Sequence, residues 1–159
     1  MEDYEIRDVM NRLKYPLILP RFVARFVERS NAVYEYVLLT WLRNDGAMCA
    51  RDVKLTLNIP RGMSKRVTGF LQRAVEIKSP LFGKEWIKNY LLSKLPLFPD
   101  DEISVADLGG YEFVYVVDTT KYDLNESRAP FLLWKIYADD MPPQSGEVFL
   151  SAIDKIESG

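Results

Sequence analysis

Apolar and polar positions along this chain fall into short segments separated by Pro, Gly, Asn and Asp. Residues 2–14 suit a first helix, stopped at Tyr15-Pro16 because a residue before proline is pushed out of the α region. Pro20 suits the first turn of a second helix. There Phe22, Val23, Phe26 and Val27 make an apolar stripe, and Arg21, Arg25 and Arg29 a basic one at i, i+4, i+8. The functional reading of the arginines is a phosphate-facing stripe; the simpler one is a solvated face. Ser30 and Asn31 are capping types ahead of a long apolar segment, AVYEYVLLTWLR, whose Val33, Val37, Leu38, Trp41 and Leu42 suit the buried side of a helix. Asn44-Asp45-Gly46 stops it.

The middle of the chain continues in the same manner. Ala50–Leu57 predicts a short helix with Val53 and Leu57 at i, i+4, and residues 58–62 a turn. Residues 63–78 predict a helix with Val67, Phe70, Leu71 and Ala74 inward, and residues 84–95 another, carrying Trp86, Ile87, Tyr90 and Leu91. The composition changes at residues 96–110. Beyond it, residues 103–106 and 111–118 predict two strands joined by a turn at 107–110, the second rich in β-branched and aromatic residues. Two helices, near 129–138 and 146–157, close the chain. The expected fold is α+β over a single domain, 1–159, with a mainly helical N-terminal part, a β-hairpin at 100–118 and a helical C-terminal segment at 125–159.

Composition narrows the chemistry. The chain has 159 residues, 48% hydrophobic and 28% charged, as a globular domain has. It contains no histidine, which removes the commonest general base and metal ligand. A single cysteine, Cys49, excludes an internal disulfide and thiolate zinc sites, and its apolar neighbours suggest a buried, inert thiol. Trp41, Trp86 and Trp134 are expected as core anchors. No cofactor motif is present, and no apolar run is long enough to span a bilayer, so no membrane partner is expected. The acidic N-terminus lacks a signal peptide's pattern, and the expected location is the cytoplasm, or the nucleus in a eukaryote.

Charge changes the picture most. The net charge of −2 conceals a neutral first part (1–50), a net +7 over 51–95 and a net −9 over 96–159. Such asymmetry suggests that one face meets a polyanion, unless the acidic third neutralises the basic third within one fold.

The order and lengths of the three helices predicted over 31–78 resemble a helix-turn-helix unit. The family's pattern of apolar anchors is met by Ile59, then Val67, Leu71 and Ala74. The turn is three residues longer than in the tight prokaryotic form, so the resemblance is to the broader winged-helix family, with the 100–118 hairpin as wing. It implies that helix 63–78 enters the major groove of double-stranded DNA, as in a transcriptional regulator. Gln72 would then read adenine and Lys65 guanine, with Thr68 beside them. Lys54, Arg61, Arg66, Arg73 and Lys78 would lie near phosphates. An acidic wing and the extra helix at 84–95 depart from the pattern. An alternative is a non-enzymatic protein-interaction module of that fold, docking an acidic protein or a second copy. A third is a carboxylate-metal nuclease built on Asp100 and Asp118-Thr119-Thr120-Lys121, whose lysine comes one residue late for the restriction-type motif. The leading expectation is a protein that is not an enzyme.

Overall fold

A computed structural model describes residues 15–68, 71–79, 83–93, 96–108, 112–121, 130–139 and 141–157. The helix expected over 2–14 lies outside them. Among the described residues there is no α-helix. Eleven strands take the place of the expected elements: β1 (Ile18–Ser30), β2 (Val33–Asn44), β3 (Val53–Pro60), β4 (Ser64–Thr68), β5 (Leu71–Ser79), β6 (Gly83–Ser93), β7 (Glu102–Ser104), β8 (Glu112–Asp118), β9 (Phe131–Ala138), β10 (Met141–Phe149) and β11 (Asp154–Glu157). Short 3-10 turns stand at Arg61–Met63, Val105–Leu108 and Leu150–Ala152.

The strands form two sheets. The first runs β11-β1-β2-β8-β4, with β7 also paired to β2; the second runs β10-β9-β3-β6-β5. Pairing is antiparallel except between β1 and β11. One hydrophobic cluster joins them: Ala24, Tyr36, Leu38, Phe113, Tyr115 and Val117 from the first sheet meet Leu55, Leu57, Ile59, Leu132 and Ile136 from the second. Tyr36 and Tyr115 stack at its centre, ring centroids 5.4 Å apart, with Phe26 edge-on to Tyr36 at 6.0 Å. Two sheets buried on facing sides make a sandwich.

The α+β, winged-helix expectation is therefore corrected throughout. The reason is a period of two hidden by apolar residues on both faces of the strands. In β3, Val53, Leu55, Leu57 and Ile59 are buried; Val53 and Leu57 are four apart, which also satisfies a helix. In β2, Tyr36, Leu38 and Leu42 face the core, while Val37 is only 5% exposed on the other side. A strand covered on both faces shows a continuous apolar run rather than clean alternation. Ser30 and Asn31 are not a helix cap. Asn31, at φ 54°, begins the β1–β2 turn, a left-handed conformation that asparagine tolerates. The strands expected at 103–106 and 111–118 have counterparts in β7 and β8, but they are not a hairpin. β7 pairs with Trp41–Arg43 and β8 with Val33–Leu38, two stretches of the same β2.

Asn44 fastens the point where the chain leaves the first sheet. It is fully buried, its Nδ2 donates to the Met48 and Leu97 carbonyls (2.7 and 2.9 Å), and its Oδ1 accepts from Leu17 N and Gly46 N (3.2 and 3.0 Å). Gly46 has no room for a side chain there, because a Cβ would lie 2.5 Å from the Tyr15 carbonyl oxygen.

Candidate ligand-binding face

The eight residues expected to contact DNA do not share an element. Lys54 lies on β3 and Arg61 in the following 3-10 turn. Lys65, Arg66 and Thr68 lie on β4 in the first sheet, and Gln72, Arg73 and Lys78 on β5 in the second. Among the described residues no α-helix presents them, so the reading as a double-stranded DNA-binding regulator falls. The same holds for a basic helical face docking an acidic protein or a second copy. Part of the positive charge is neutralised within the first sheet: Lys65 pairs with Glu35, and Arg66 with Glu112.

The nuclease arrangement is not assembled either. Asp118 ends β8 as expected, but its Oδ1 accepts from Thr120 N (3.0 Å) and Thr120 Oγ1 (2.6 Å), closing a turn. The Thr120 hydroxyl bond is the main reason its carboxyl lies below the usual range. Asp100 sits in the other turn, at φ 68°, its N–H on the Asn44 carbonyl oxygen. Among the described residues, no group of three acidic, Cys or His side chains is placed to hold a metal. Cys49 is half-exposed rather than buried, and lines a cleft of about 270 Å³ with Arg51, Asp52, Pro96 and Phe98.

Three of the concavities among the described residues bear on ligand binding. One of about 170 Å³ lies on the first sheet beside Arg25, Val37, Thr40, Val105 and Glu112, and the second is the Cys49 cleft. The third, about 440 Å³, is an open trough on the outer face of β3, β9 and β10, lined by Asn58, Leu133, Trp134, Lys135, Ser145, Gly146 and Glu147.

Strand alternation builds that trough. In β9, Leu132, Trp134 and Ile136 pack toward the core, which turns Phe131, Leu133, Lys135 and Tyr137 outward. The register then aligns three strands: Phe149 with Phe131, Glu147 with Leu133 and Asn58, Ser145 with Lys135 and Thr56, and Tyr137 with Lys54. Aromatic rings lie on the same strand face at either end of β9. Phe131 and Phe149 meet edge-to-face at 5.8 Å, with Phe149 37% exposed. At the other end Lys54 Nζ and Lys135 Nζ lie 5.5 and 5.0 Å from the Tyr137 ring centroid.

The floor is held by Trp134. Its indole lies so close over Gly146 that a Cβ there would be 2.7 Å from the ring, which fixes β10 against β9. On the outward side of β3, Asn58 Oδ1 and Thr56 Oγ1 are buried without a hydrogen-bond partner among the described residues. The expectation for Trp134 as a core anchor agrees with its packing. Trp41 differs, being half-buried with the Arg21 guanidinium 4.2 Å from its ring. The sequence signal for this face was alternation in FLLWKIYA, Leu-Trp-Ile inward against Leu-Lys-Tyr outward, which a helical reading obscured.

No family model and no curated protein sequence matches the chain. Solved structures share its shape loosely. The ApaA protein of Bordetella pertussis is 10% identical, with 86% of this chain and 91% of that one covered and a TM-score of 0.43. A biomass-sensing module of Clostridium thermocellum, described as resembling a family 3 carbohydrate-binding module, is 11% identical over 79% of this chain and 95% of that one, at TM-score 0.41. The exo-β-N-acetylglucosaminidase of Vibrio harveyi is 11% identical over 86% of this chain, at TM-score 0.41; the match spans only 18% of that enzyme. At these scores the likenesses place the chain in no family.

Proposed function

We propose that the chain is a non-catalytic binding module that holds a stretch of polysaccharide along β9, on the outer face of the second sheet. The observation that carries this reading is the row of outward side chains from Phe131 to Tyr137. At the rise of a strand, β9 sets its two aromatic ends about 20 Å apart. Between them stand an amide, a hydroxyl, an ammonium and a carboxylate, from Asn58, Ser145, Lys135 and Glu147. A sugar ring offers an apolar C–H face to an aromatic ring and a rim of hydroxyls to such polar groups. An open trough on a sheet suits an internal stretch of chain, whereas small molecules favour enclosed pockets.

Glycoside hydrolysis normally uses two carboxylates flanking the bond. Glu147 is the carboxylate among the described residues that line this trough, which favours holding over cleavage.

Affinity electrophoresis through gels containing soluble polysaccharides tests the proposal, followed by calorimetry on any polymer that retards the protein. Tyr137→Ala is expected to weaken binding about tenfold, or ~1.4 kcal/mol, with little change in melting temperature. No retardation by any of a broad panel of polymers would overturn the reading.

A further inference from the structure

Register sets six outward side chains of the second sheet in two adjacent rows. Glu147, Leu133 and Asn58 form one, and Ser145, Lys135 and Thr56 the next. Lys135 and Glu147 are therefore diagonal neighbours on one face, roughly 7 Å apart at the backbone. Both are exposed, and among the described residues no ion pair joins them. The charged groups that line the trough are thus one ammonium and one carboxylate, and their formal charges cancel. Lys54 lies outside that lining and is already engaged, by the Tyr137 ring and by a further contact.

A carboxylate only accepts hydrogen bonds and an ammonium only donates them, whereas a hydroxyl does both. The hydroxyls of one sugar can therefore satisfy Glu147 and Lys135 together, each through a charge-assisted bond. Leu133, aligned with Glu147, seats the apolar C–H face of the ring, and Asn58 on its other side adds an amide. A charged sugar does worse with either sign. A uronate or sulfate gains at Lys135 and is repelled by Glu147; an amino sugar's ammonium gains at Glu147 and is repelled by Lys135. Repulsion of the wrong ligand is a source of specificity in its own right.

We infer that the polysaccharide held here is uncharged, and that Glu147 and Lys135 together disfavour acidic and basic polymers. This rests on the polysaccharide reading of the face and adds the ligand's charge and the two residues that select it, argued from charge complementarity.

The test is calorimetry with neutral galactan, dextran and glucomannan, acidic polygalacturonate and basic chitosan, at about pH 5.5, where carboxylates and amines are both charged. Each polymer is run at about 50 and about 300 mM salt, where screening of exposed charges differs strongly. The proteins are the whole chain, Glu147→Gln and Lys135→Gln; both positions are exposed, so both variants should fold, and melting temperatures check this. Neutral polymers are expected to bind the whole chain with an affinity that changes less than about twofold between the two salts. Polygalacturonate and chitosan should bind about tenfold more weakly or not at all. Glu147→Gln leaves the trough positive and should raise affinity for polygalacturonate roughly three- to tenfold at low salt, and Lys135→Gln should do the same for chitosan. Both variants should lose affinity for the neutral polymers. Tighter binding of either charged polymer than of every neutral one overturns the assignment and leaves the polysaccharide reading standing. So does a preference that neither variant shifts. No binding of any polymer overturns both.

Discussion

The two outward faces of the sandwich use similar residues to opposite ends. On the first sheet, cations meet carboxylates of the same sheet: Lys65 with Glu35, Arg66 with Glu112, and Arg21 with Glu102 at 2.9 Å. Its apolar residues are covered too, Val37 at 5% exposure and Val114 at 2%. On the second sheet, ammonium groups lie over an aromatic ring, and the surface between β3, β9 and β10 is an open trough. A surface ion pair returns little stability, typically below about 1 kcal/mol, but it uses up the charge that a ligand would need. Among the described residues, the difference between the faces is therefore that the first carries cross-strand ion pairs and the second an open trough between β3, β9 and β10.

Four substitutions test that contrast. The largest effect is expected at Asn44, which holds four loop backbone groups at the end of β2. Asn44→Leu strands the Met48 and Leu97 carbonyls and the Leu17 and Gly46 N–H groups, and should cost about 3 kcal/mol. Urea unfolding reads this, and a loss below about 1 kcal/mol would mean that the loop stitching is not what holds the sheets' junction.

Gly146→Ala acts on the second face alone. Its Cβ meets the Trp134 ring at 2.7 Å, so the indole or β10 must shift, costing ~2 kcal/mol by overpacking. Binding in the trough should fall with it, and unchanged affinity would detach the trough from the Trp134 floor.

Tyr115→Phe probes the core between the faces. The Tyr115 hydroxyl is buried with no hydrogen-bond partner among the described residues, so its removal should be neutral or stabilising by up to about 1 kcal/mol. Burial, then the neighbouring Tyr36, raise its pKa far above the tyrosine range. A raised folded-state value favours the folded protein below pH ~10, and that stability is lost as pH rises above it. Melting curves from neutral to strongly alkaline pH should show a steeper decline in the native protein than in the Phe variant. Parallel curves would remove Tyr115 from the alkaline transition.

The smallest effect is expected at Lys65→Gln, below about 1 kcal/mol in stability and with no effect on polysaccharide affinity. A loss of affinity at Lys65 comparable to that at Lys135 would erase the distinction between the faces.

How far the sequence could be read differs between particular segments. The strand at 111–118 was legible because EFVYVVD concentrates β-branched and aromatic residues, and β8 covers Glu112–Asp118. The stop at Asn44-Asp45-Gly46 was legible as well, although it ends a strand. AVYEYVLLTWLR was not: its apolar residues on two faces satisfy periods of 3.6 and 2 alike, and local sequence does not decide between them. The candidate site was missed for the same reason. Once VKLTLNIP and FLLWKIYA are taken as helices, Lys54, Asn58, Lys135 and Tyr137 lie on no common surface.

The amino-acid sequence alone determined the absence of histidine chemistry, the lack of a disulfide and the segregation of charge along the chain, because these depend on composition and order only. Tertiary structure decided where that charge goes. Glu35 is distant in sequence from Lys65, as Glu112 is from Arg66, and only strand pairing joins them. The same pairing brings Lys54 to Tyr137 across the β3–β9 ladder. Partners set by register between distant strands are non-local, so no window of the sequence contains both members of the pair.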